Sequence, residues 1–332
     1  MRKFEVMKQT IRFSAALLIL LLAATPALSD ESQPFSEWLA ELRQEASQKG
    51  ISTETLDAAL ASVAPIEKVI QLDRNQPEFK LGLNEYLSRY VSGTRVAEGR
   101  RQLAAHRELL DEIYERFGVQ PRFVVALWGI ESRFGQQMGS YRVVDALATL
   151  AHEGRRAKFF RGQLIDALTI IDEGHIEADK MLGSWAGAMG QPQFMPSSFR
   201  AYAVDGDGDG RRNIWSSTAD VFGSASNYLS SFGWRSNQTW GRKVQLPDGF
   251  DRSLIGRKTK RRLASWQSVG VRLANGDDLP QADLYASLIQ PDDEADAYIV
   301  YSNFRTILRW NNSEYFGLAV GLLADKLVAE AP

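Results

Sequence analysis

The chain has 332 residues, a formal net charge of −2 and no cysteine. This length suffices for one large domain or two smaller ones. The mild acidity argues against a nucleic-acid-binding protein, which would present a basic face. The missing cysteines exclude a fold held together by disulfides.

The N-terminal segment predicts an export signal. Residues 1–12 carry four basic side chains, residues 13–24 are almost entirely apolar, and residues 27–29 offer the small side chains that signal peptidase reads. We therefore predict a signal peptide at residues 1–29 and a soluble periplasmic mature protein without a lipid anchor. The alternative is a membrane anchor, but this apolar run is far shorter than the roughly 20 residues that span hydrocarbon.

Residues 30–120 predict an N-terminal helical region. Trp38 and Leu42 belong to one pattern with helical spacing, and Thr53 begins a second pattern. The same periodicity continues over residues 96–117. We expect the apolar residues of this region to pack into a core.

The remaining chain predicts an α+β fold that is mainly helical. Residues 121–235 are helix-rich, but glycines and prolines interrupt the period at residues 183–198, which predicts an ordered loop. Residues 236–302 predict a small β-rich insertion, and residues 303–332 return to a helical pattern. The expected strands lie at residues 240–246, 269–273, 285–289 and 298–301.

Glu131 is the candidate catalytic acid and base. Pro121 suits the first turn of a helix, and an apolar stripe that includes Leu127 leads to Glu131, with Gly135 expected to close the helix. Burial against apolar side chains and the negative end of the helix dipole both favour the protonated carboxyl group. A general acid needs this form. The alternative is a surface glutamate that pairs with Arg133.

The loop at residues 183–198 has the composition of a sugar-binding segment. Its glycines allow close approach of the backbone to a ligand, and its neutral polar side chains alternate with aromatic and apolar ones. Sugars need both, because they present hydroxyl groups at the ring edge and C–H groups on the ring faces. The alternative is a turn packed by its own side chains. The residues concerned are Ser184, Trp185, Met189, Gln191, Gln193 and Phe194.

Three segments together resemble one enzyme family. Residues 131–135 (ESRFG), residues 144–150 (VDALATL) and the loop at 183–198 are similar to the family B lytic murein transglycosylases, glycoside hydrolase family 103. The similarity extends from about residue 35 to residue 327. It implies a lysozyme-like catalytic core at residues 121–235, with Glu131 as the single catalytic residue.

The resemblance also implies residues that bind substrate. Ser184 and Gln193 match residues that contact N-acetylated sugars. Arg155 and Arg156 match a basic pair that lines the cleft, although a solvated helix face is the alternative for either arginine. Trp310 and Phe316 replace tyrosines that are usual in the family, so stacking is expected without a phenolic hydrogen bond. The remaining matched positions are Tyr86, Tyr228 and Asn311.

Residues 205–213 (DGDGDGRRN) predict a metal-binding loop. Carboxylates at loop positions 1, 3 and 5, glycine at 6 and a backbone carbonyl at 7 are typical of the first half of an EF-hand. Ser216 replaces the usual glutamate at position 12, and the resemblance implies a longer loop. We predict a structural calcium ion and no cofactor for catalysis; an acidic turn without metal is the alternative. The predicted ligands are Asp205, Asp207, Asp209, the Arg211 carbonyl and Asp220.

The expected reaction is cleavage of the β-1,4 bond between N-acetylmuramic acid and N-acetylglucosamine, which leaves 1,6-anhydromuramic ends. The expected partner is therefore the peptidoglycan glycan strand, and the sequence indicates no protein partner. A hydrolytic muramidase is the alternative enzyme and would need a positioned water and a second carboxylate, for which Asp145 is the nearest candidate. A non-catalytic murein-binding scaffold is the alternative outside enzymes.

Overall fold

The computed structural model describes residues 33–75, 81–153, 155–292 and 295–329. The predicted signal peptide at residues 1–29 lies outside these ranges. Contacts divide the chain into Met1–Pro34 and Phe35–Pro332, and every helix and strand described below belongs to the second unit.

Helices dominate the described residues. Within them, no helix is both long and apolar enough to cross a membrane. The helices are α1 (Phe35–Gln48), α2 (Thr53–Leu60), α3 (Glu67–Asn75), α4 (Leu83–Tyr90), α5 (Gly93–Ala105), α6 (Arg107–Phe117), α7 (Pro121–Ser132), α8 (Val143–His152), α9 (Ala157–Asp172), α10 (Pro196–Tyr202), α11 (Thr218–Ser231), α12 (Leu263–Ser268), α13 (Ser302–Trp310) and α14 (Glu314–Val328).

The strands form two antiparallel sheets. One is a pair of two-residue strands, and the other has five strands in the order β4-β6-β7-β3-β5. Together with the helices they confirm the predicted mainly helical α+β class. The strands are β1 (Tyr141–Arg142), β2 (Leu182–Gly183), β3 (Gly241–Gln245), β4 (Arg261–Arg262), β5 (Arg272–Leu273), β6 (Tyr285–Ile289) and β7 (Ala297–Val300).

The five-stranded sheet has its own hydrophobic cluster, in which Trp266 and Val271 are fully buried. Three of the four expected strands are found: β6 has the expected ends, and the ends of β3 and β7 are shifted by one residue. The fourth, predicted at 269–273, is wrong in most of its length: only Arg272–Leu273 is a strand. A short apolar run does not by itself distinguish strand from helix, and here the neighbouring Trp266 is buried from the short helix α12.

The periodic stretch at residues 96–117 is two helices. His106 has φ −110° and ψ 22°, outside the helical region, so α5 ends before it and α6 begins after it. Its ring meets Trp128 and Phe222 edge to face, at centroid distances of 5.9 Å and 5.4 Å. The break between α5 and α6 therefore lies where the His106 ring packs between two aromatic rings. The spacing of apolar residues in the sequence does not show this break.

Helix α7 is surrounded by other helices. Every residue from 123 to 130 is buried, and α7 contacts α5, α6, α11 and α14. A helix that is apolar on all sides must be enclosed, because any exposed face would leave apolar surface in water. Glu131, in the last turn, is only half-buried. The position of this carboxyl group is therefore set by the core of the whole unit.

The end of α7 differs from the predicted one. The helix ends at Ser132, and Arg133 and Phe134 take the left-handed conformation, with φ of 49° and 60°, before Gly135. Each such non-glycine residue costs roughly 1–3 kcal/mol of backbone strain. The turn is held because the Phe134 ring is buried and lies over Gly129, where a Cβ atom would come within 2.7 Å of it.

Replacing Gly129 with alanine should therefore destabilise the fold, although alanine favours helices. The new methyl group would displace the Phe134 ring, and such overpacking costs about 1–3 kcal/mol. Gly162→Ala is the matched control, because Gly162 lies in α9, where an added Cβ atom would have no neighbour within 4 Å, and it should stabilise by about 0.5–1 kcal/mol. Urea denaturation measures both; equal midpoints for the two variants would contradict this account of the turn.

Candidate active site

A buried hydrogen-bonded link connects the helix of Glu131 to the loop at residues 183–198. Trp128, one turn before Glu131, donates from Nε1 to Gln191 Oε1 at 2.7 Å, and Gln191 Nε2 donates to the carbonyl of Trp215 at 2.9 Å. Gln191 is 8% exposed. The prediction that it offers hydrogen bonds to a sugar is therefore wrong: both ends of its amide are used inside the protein.

The segment after α7 lies directly against the same loop. Strand β1 pairs with β2, and a Cβ atom on Gly139 would come within 2.0 Å of the carbonyl oxygen of Gly183. Gln193 Nε2 donates to the carbonyls of Met138 and Gly190 at 2.9 Å and 2.8 Å. These contacts place the loop beside the end of α7 that carries Glu131.

Ser184 and Gln193 are half-buried on this loop. Ser184 Oγ accepts a hydrogen bond from the amide of Ala188 at 3.1 Å, which leaves its hydroxyl hydrogen for another partner. Gln193 has φ 53°, and its two carbonyl partners use its amide donors, so its Oε1 atom is the group left to accept. One donor and one acceptor of neutral charge thus stand next to the helix end.

The apolar side chains of the loop are mostly core residues. Met189 is 0% and Phe194 2% exposed, so the prediction that they offer a flat surface to a sugar is wrong. Of the three aromatic and apolar residues expected to contact a sugar, Trp185 alone is partly exposed. Phe194 instead packs against Trp310, with ring centroids 5.0 Å apart, and so supports a ring that is itself partly exposed at the end of α13.

Two predicted contact residues are buried, and their roles are corrected. Tyr228 is 7% exposed and its hydroxyl donates to the carbonyl of Arg309 at 2.6 Å; burial raises the pKa of Tyr228 to about 12, so the phenol stays protonated. Phe316 is 3% exposed and offers no ring face for stacking. Tyr228 packs against Trp310 at 4.8 Å, whereas Asn311 is exposed and follows Trp310 directly.

The predicted basic pair binds a carboxylate of the N-terminal helices. Arg155 donates to both carboxylate oxygens of Asp73 at 2.7 Å and 2.6 Å, and Arg156 donates to one of them at 2.9 Å. The hydrogen bond from Arg155, aided by Arg156, lowers the pKa of Asp73 against the opposing effect of burial. The two guanidinium groups stay about half exposed, so this pair joins α3 to the start of α9 and keeps donors on the surface.

Tyr86 lies on α4, half-buried among other rings. It stacks on Tyr90 with a centroid distance of 4.4 Å and meets Tyr315 edge to face at 5.6 Å. Since Tyr315 belongs to α14, next to Phe316, these contacts hold Tyr86 against the C-terminal helix.

Asp145, the nearest candidate for a second acid, pairs with Arg142. The distance from Arg142 Nη1 to Asp145 Oδ2 is 3.3 Å, and the same guanidinium nitrogen donates to Ser62 Oγ at 2.9 Å. Burial raises the pKa of Asp145, and the arginine partly opposes that shift. The contacts are those of a structural ion pair.

The acidic loop brings three of its predicted ligands together. Oxygen atoms of Asp205, Asp207 and Asp209 lie within 4.8 Å of one another. Backbone amides of Gly208 and Gly210 donate to Asp205 at 2.6 Å and 2.9 Å. No lysine or arginine among the described residues pairs with these three carboxylates. Oxygen ligands in this arrangement fit a divalent cation such as calcium.

Asp220, the remaining predicted ligand, lies inside the loop. It is 1% exposed, and its two oxygens accept hydrogen bonds from the amides of Gly206 at 2.7 Å and Asn213 at 2.5 Å. Burial raises its pKa despite these hydrogen bonds. These contacts tie the start of α11 to the loop, and Asp220 is not among the three clustered carboxylates. Arg211 donates from its amide to Asp209 Oδ1 at 2.8 Å, which keeps it in the loop as predicted.

The sequence did not reveal how the β-rich region supports the site. Arg257 Nη1 donates to Asn312 Oδ1 at 2.7 Å, and its Nε lies 2.9 Å from Glu314 Oε1. This clamp holds the turn that follows Trp310 and Asn311. No local pattern predicts it, because the partners lie far apart in the chain.

The comparisons with known proteins agree on one class. Residues 34–325 match the family model described as "Transglycosylase SLT domain". The chain therefore belongs to the lytic murein transglycosylases of family B, which confirms the resemblance seen in the sequence.

Individual relatives give the same result. The chain is 32% identical over 297 residues to the membrane-bound lytic murein transglycosylase B of Escherichia coli K12, covering 83% of this chain and 78% of that protein. The structure of SltB3 from Pseudomonas aeruginosa in complex with NAG-anhNAM-pentapeptide is 45% identical, with a TM-score of 0.87 over 89% of this chain and 80% of that one. The structure of Slt35 from E. coli in complex with calcium is also similar: the sequences are 29% identical, the TM-score is 0.76, and the match covers 89% of this chain and 92% of Slt35.

Replacing Gln191 with leucine should destabilise the protein. The change keeps the volume but leaves the indole N–H of Trp128 and the carbonyl of Trp215 buried without partners, at a cost of about 1–3 kcal/mol for each group. Gln48→Leu, at the exposed end of α1, is the matched control and should change stability by less than about 0.5 kcal/mol. Denaturant unfolding of both variants tests the link; an unchanged midpoint for Gln191→Leu would rule it out.

Proposed function

We propose that this chain is a peptidoglycan lytic transglycosylase with Glu131 as its single acid and base. The observation that carries the proposal is the half-buried Glu131 at the end of an otherwise buried helix, beside the loop of Ser184 and Gln193. Family membership gives the reaction class, and the SltB3 complex contains the type of product that such a reaction forms.

The proposed reaction has two proton transfers at one carboxyl group. Protonated Glu131 first donates its proton to the oxygen of the β-1,4 bond, and N-acetylglucosamine leaves as an alcohol. The Glu131 carboxylate then accepts the proton of the muramyl 6-hydroxyl, whose oxygen bonds to the anomeric carbon. The glutamate returns to its starting form and no water is consumed, which agrees with the structural pairing of Asp145 with Arg142.

The residues that we propose to contact the sugars are those whose side chains are at least partly exposed. Ser184 and Gln193 retain free hydrogen-bonding capacity beside the helix end, and Trp310, Asn311 and Tyr86 expose part of their side chains. Tyr228 and Phe316 support these residues from the core. The half-exposed guanidinium groups of Arg155 and Arg156 would contact a glycan strand that extends beyond the sugars bound at Glu131.

The regional organisation remains a proposal as well. It consists of a helical region at residues 30–120, the catalytic core at 121–235, the β-rich region at 236–302 and the returning helices at 303–332. The separate hydrophobic cluster of the five-stranded sheet supports the third of these regions.

We further propose a structural calcium ion held by Asp205, Asp207 and Asp209, with the Arg211 carbonyl and Asp220 as further ligands. When bound, it would offset two of the negative charges of these carboxylates and tie the start of α11, where Asp220 lies, to the loop. The relative Slt35 has been solved in complex with calcium. None of these residues takes part in the proton transfers.

Glu131→Gln should abolish cleavage while sparing the fold. Glutamine keeps the size of the side chain but neither donates nor accepts the required proton, and because one group serves both steps, the loss should reach roughly 10⁴-fold. Glu112→Gln, on the exposed face of α6, is the matched control. Activity is measured by release of muropeptides from purified sacculi.

Product analysis separates the proposed reaction from hydrolysis. Mass spectrometry should find 1,6-anhydromuramic ends, lighter by one water than a muramidase product. Ends that react with borohydride would mean hydrolysis and would remove the single-carboxylate mechanism. Appreciable turnover by a folded Glu131→Gln protein would instead remove Glu131 as the catalytic residue.

Calcium should raise the melting temperature of the wild-type protein. Binding at a hundredfold excess over the dissociation constant stabilises by about 2.7 kcal/mol. Asp205→Asn combined with Asp209→Asn should remove this increment, whereas Asp248→Asn, on an exposed turn, should retain it. If EDTA leaves the wild-type melting temperature unchanged, the loop does not bind calcium.

We also propose that residues 1–29 direct export and are removed, which places the mature enzyme in the periplasm with its substrate. N-terminal sequencing should find a mature chain that begins near Asp30. An uncleaved N-terminus, or recovery only from salt-washed membranes, would contradict this.

A further inference from the structure

A basic pocket opens next to the candidate active site. It has a volume of about 500 Å³ and lies between the end of α4, the first turns of α5 and the segment that follows α7. Four arginines and one carboxylate, that of Glu98, line it, and uncharged groups such as Tyr90, Ser92 and Gln137 complete the wall. The arginines are Arg89, Arg95, Arg101 and Arg133.

Among the described residues, three of the four arginines have no anionic partner. Arg101 pairs with Glu98. In the described part of the chain, no carboxylate lies within salt-bridge distance of Arg89, Arg95 or Arg133.

Arg95 is held in place without such a partner. Its Nη1 donates to the carbonyl of Arg89 at 3.1 Å, and its guanidinium carbon lies 5.3 Å from the centroid of the Tyr90 ring. Burial and the nearby charge of Arg133 lower the pKa of Arg95. Arg89, Arg95 and Arg133 line one pocket without a salt bridge of their own, and its Glu98 carboxylate is already paired with Arg101, so an anion in the pocket would gain from all three.

The pocket adjoins the substrate-binding residues on two sides. Arg133 comes two residues after Glu131, in the left-handed turn that Phe134 holds. On the other side, Tyr90 stacks on Tyr86, a proposed contact residue. A strand bound at Glu131 would therefore bring its substituents near these arginines.

The chemistry of the substrate identifies the anion. N-acetylglucosamine is neutral, and where a stem peptide is attached the lactyl carboxyl group of N-acetylmuramic acid is an uncharged amide, so an intact glycan strand offers the unpaired guanidinium groups no carboxylate of its own. The carboxylates of peptidoglycan belong to the peptide that each muramyl lactyl group carries. Guanidinium groups bind carboxylates in a charge-assisted, often bidentate geometry.

We propose that this pocket binds the carboxylates of the stem peptide and makes the enzyme prefer peptide-bearing strands over stripped glycan. The proposal rests on the proposed lytic activity, and it adds a specificity site formed by Arg89, Arg95 and Arg133. The preference is electrostatic, so it should weaken as salt is raised.

The test compares two substrates: glycan strands with intact stem peptides, and the same strands after an amidase has removed the peptides, which leaves one lactyl carboxylate on each muramyl residue in place of the carboxylates of the stem. The wild-type kcat/KM should be higher on the peptide-bearing strands. Arg89→Gln combined with Arg133→Gln should lower the ratio of the two values toward one, by roughly threefold to tenfold for each arginine. Arg107→Gln, an exposed arginine at the start of α6 outside the pocket, should leave the ratio at its wild-type value.

The ratio separates this proposal from the catalytic one. Cleavage of both substrates with an equal ratio in the wild type and the double variant would overturn the pocket while the lytic activity stands. If the wild type cleaves neither substrate, the proposed lytic activity is refuted. Calorimetric titration with the free stem pentapeptide then tests whether the pocket binds the peptide. The pocket is supported if the wild type and Arg107→Gln bind the pentapeptide and the double variant does not. It is overturned if all three proteins bind the pentapeptide equally or if none binds it. Should the double variant fold poorly, Arg89→Gln alone, at an exposed side chain, serves in both measurements.

Discussion

The burial of helix α7 is the constraint on which the rest of the structure depends. A helix without a polar face is stable in water only when other elements cover every side, and here α5, α6, α11 and α14 do so. Enclosure fixes the helix in both position and rotation. The carboxyl group of Glu131, in its last turn, is therefore held by the packing of the whole unit, so a catalytic group on a regular helix needs no flexible loop to carry it.

Backbone strain and a buried polar link occur together where α7 ends. Two non-glycine residues take left-handed backbone conformations there, and Gln191 joins Trp128 to Trp215 inside the protein. These features cost stability unless their surroundings satisfy them. The ring of Phe134 and the paired amide of Gln191 meet that requirement. Together they bring the segment after α7 against the loop at residues 183–198.

The charges of the unit divide into regions with separate tasks. Neutral donors and acceptors surround Glu131, as a neutral sugar requires. The acidic cluster of Asp205, Asp207 and Asp209 lies in its own loop before α11, and the arginines of the basic pocket gather beside the left-handed turn.

The sequence by itself determined the class of the fold, the family, the apolar helix ending in Glu131 and the acidic loop. All of these depend on residues close together in the chain, where periodicity and motif spacing carry the information. The tertiary structure alone decided which side chains of the loop at residues 183–198 face outward. It buried Met189, Gln191 and Phe194, because their partners come from distant segments. The pairing of Arg155 and Arg156 with Asp73 was likewise invisible, since a local pattern records a side chain's chemistry but not the neighbour that long-range packing brings to it.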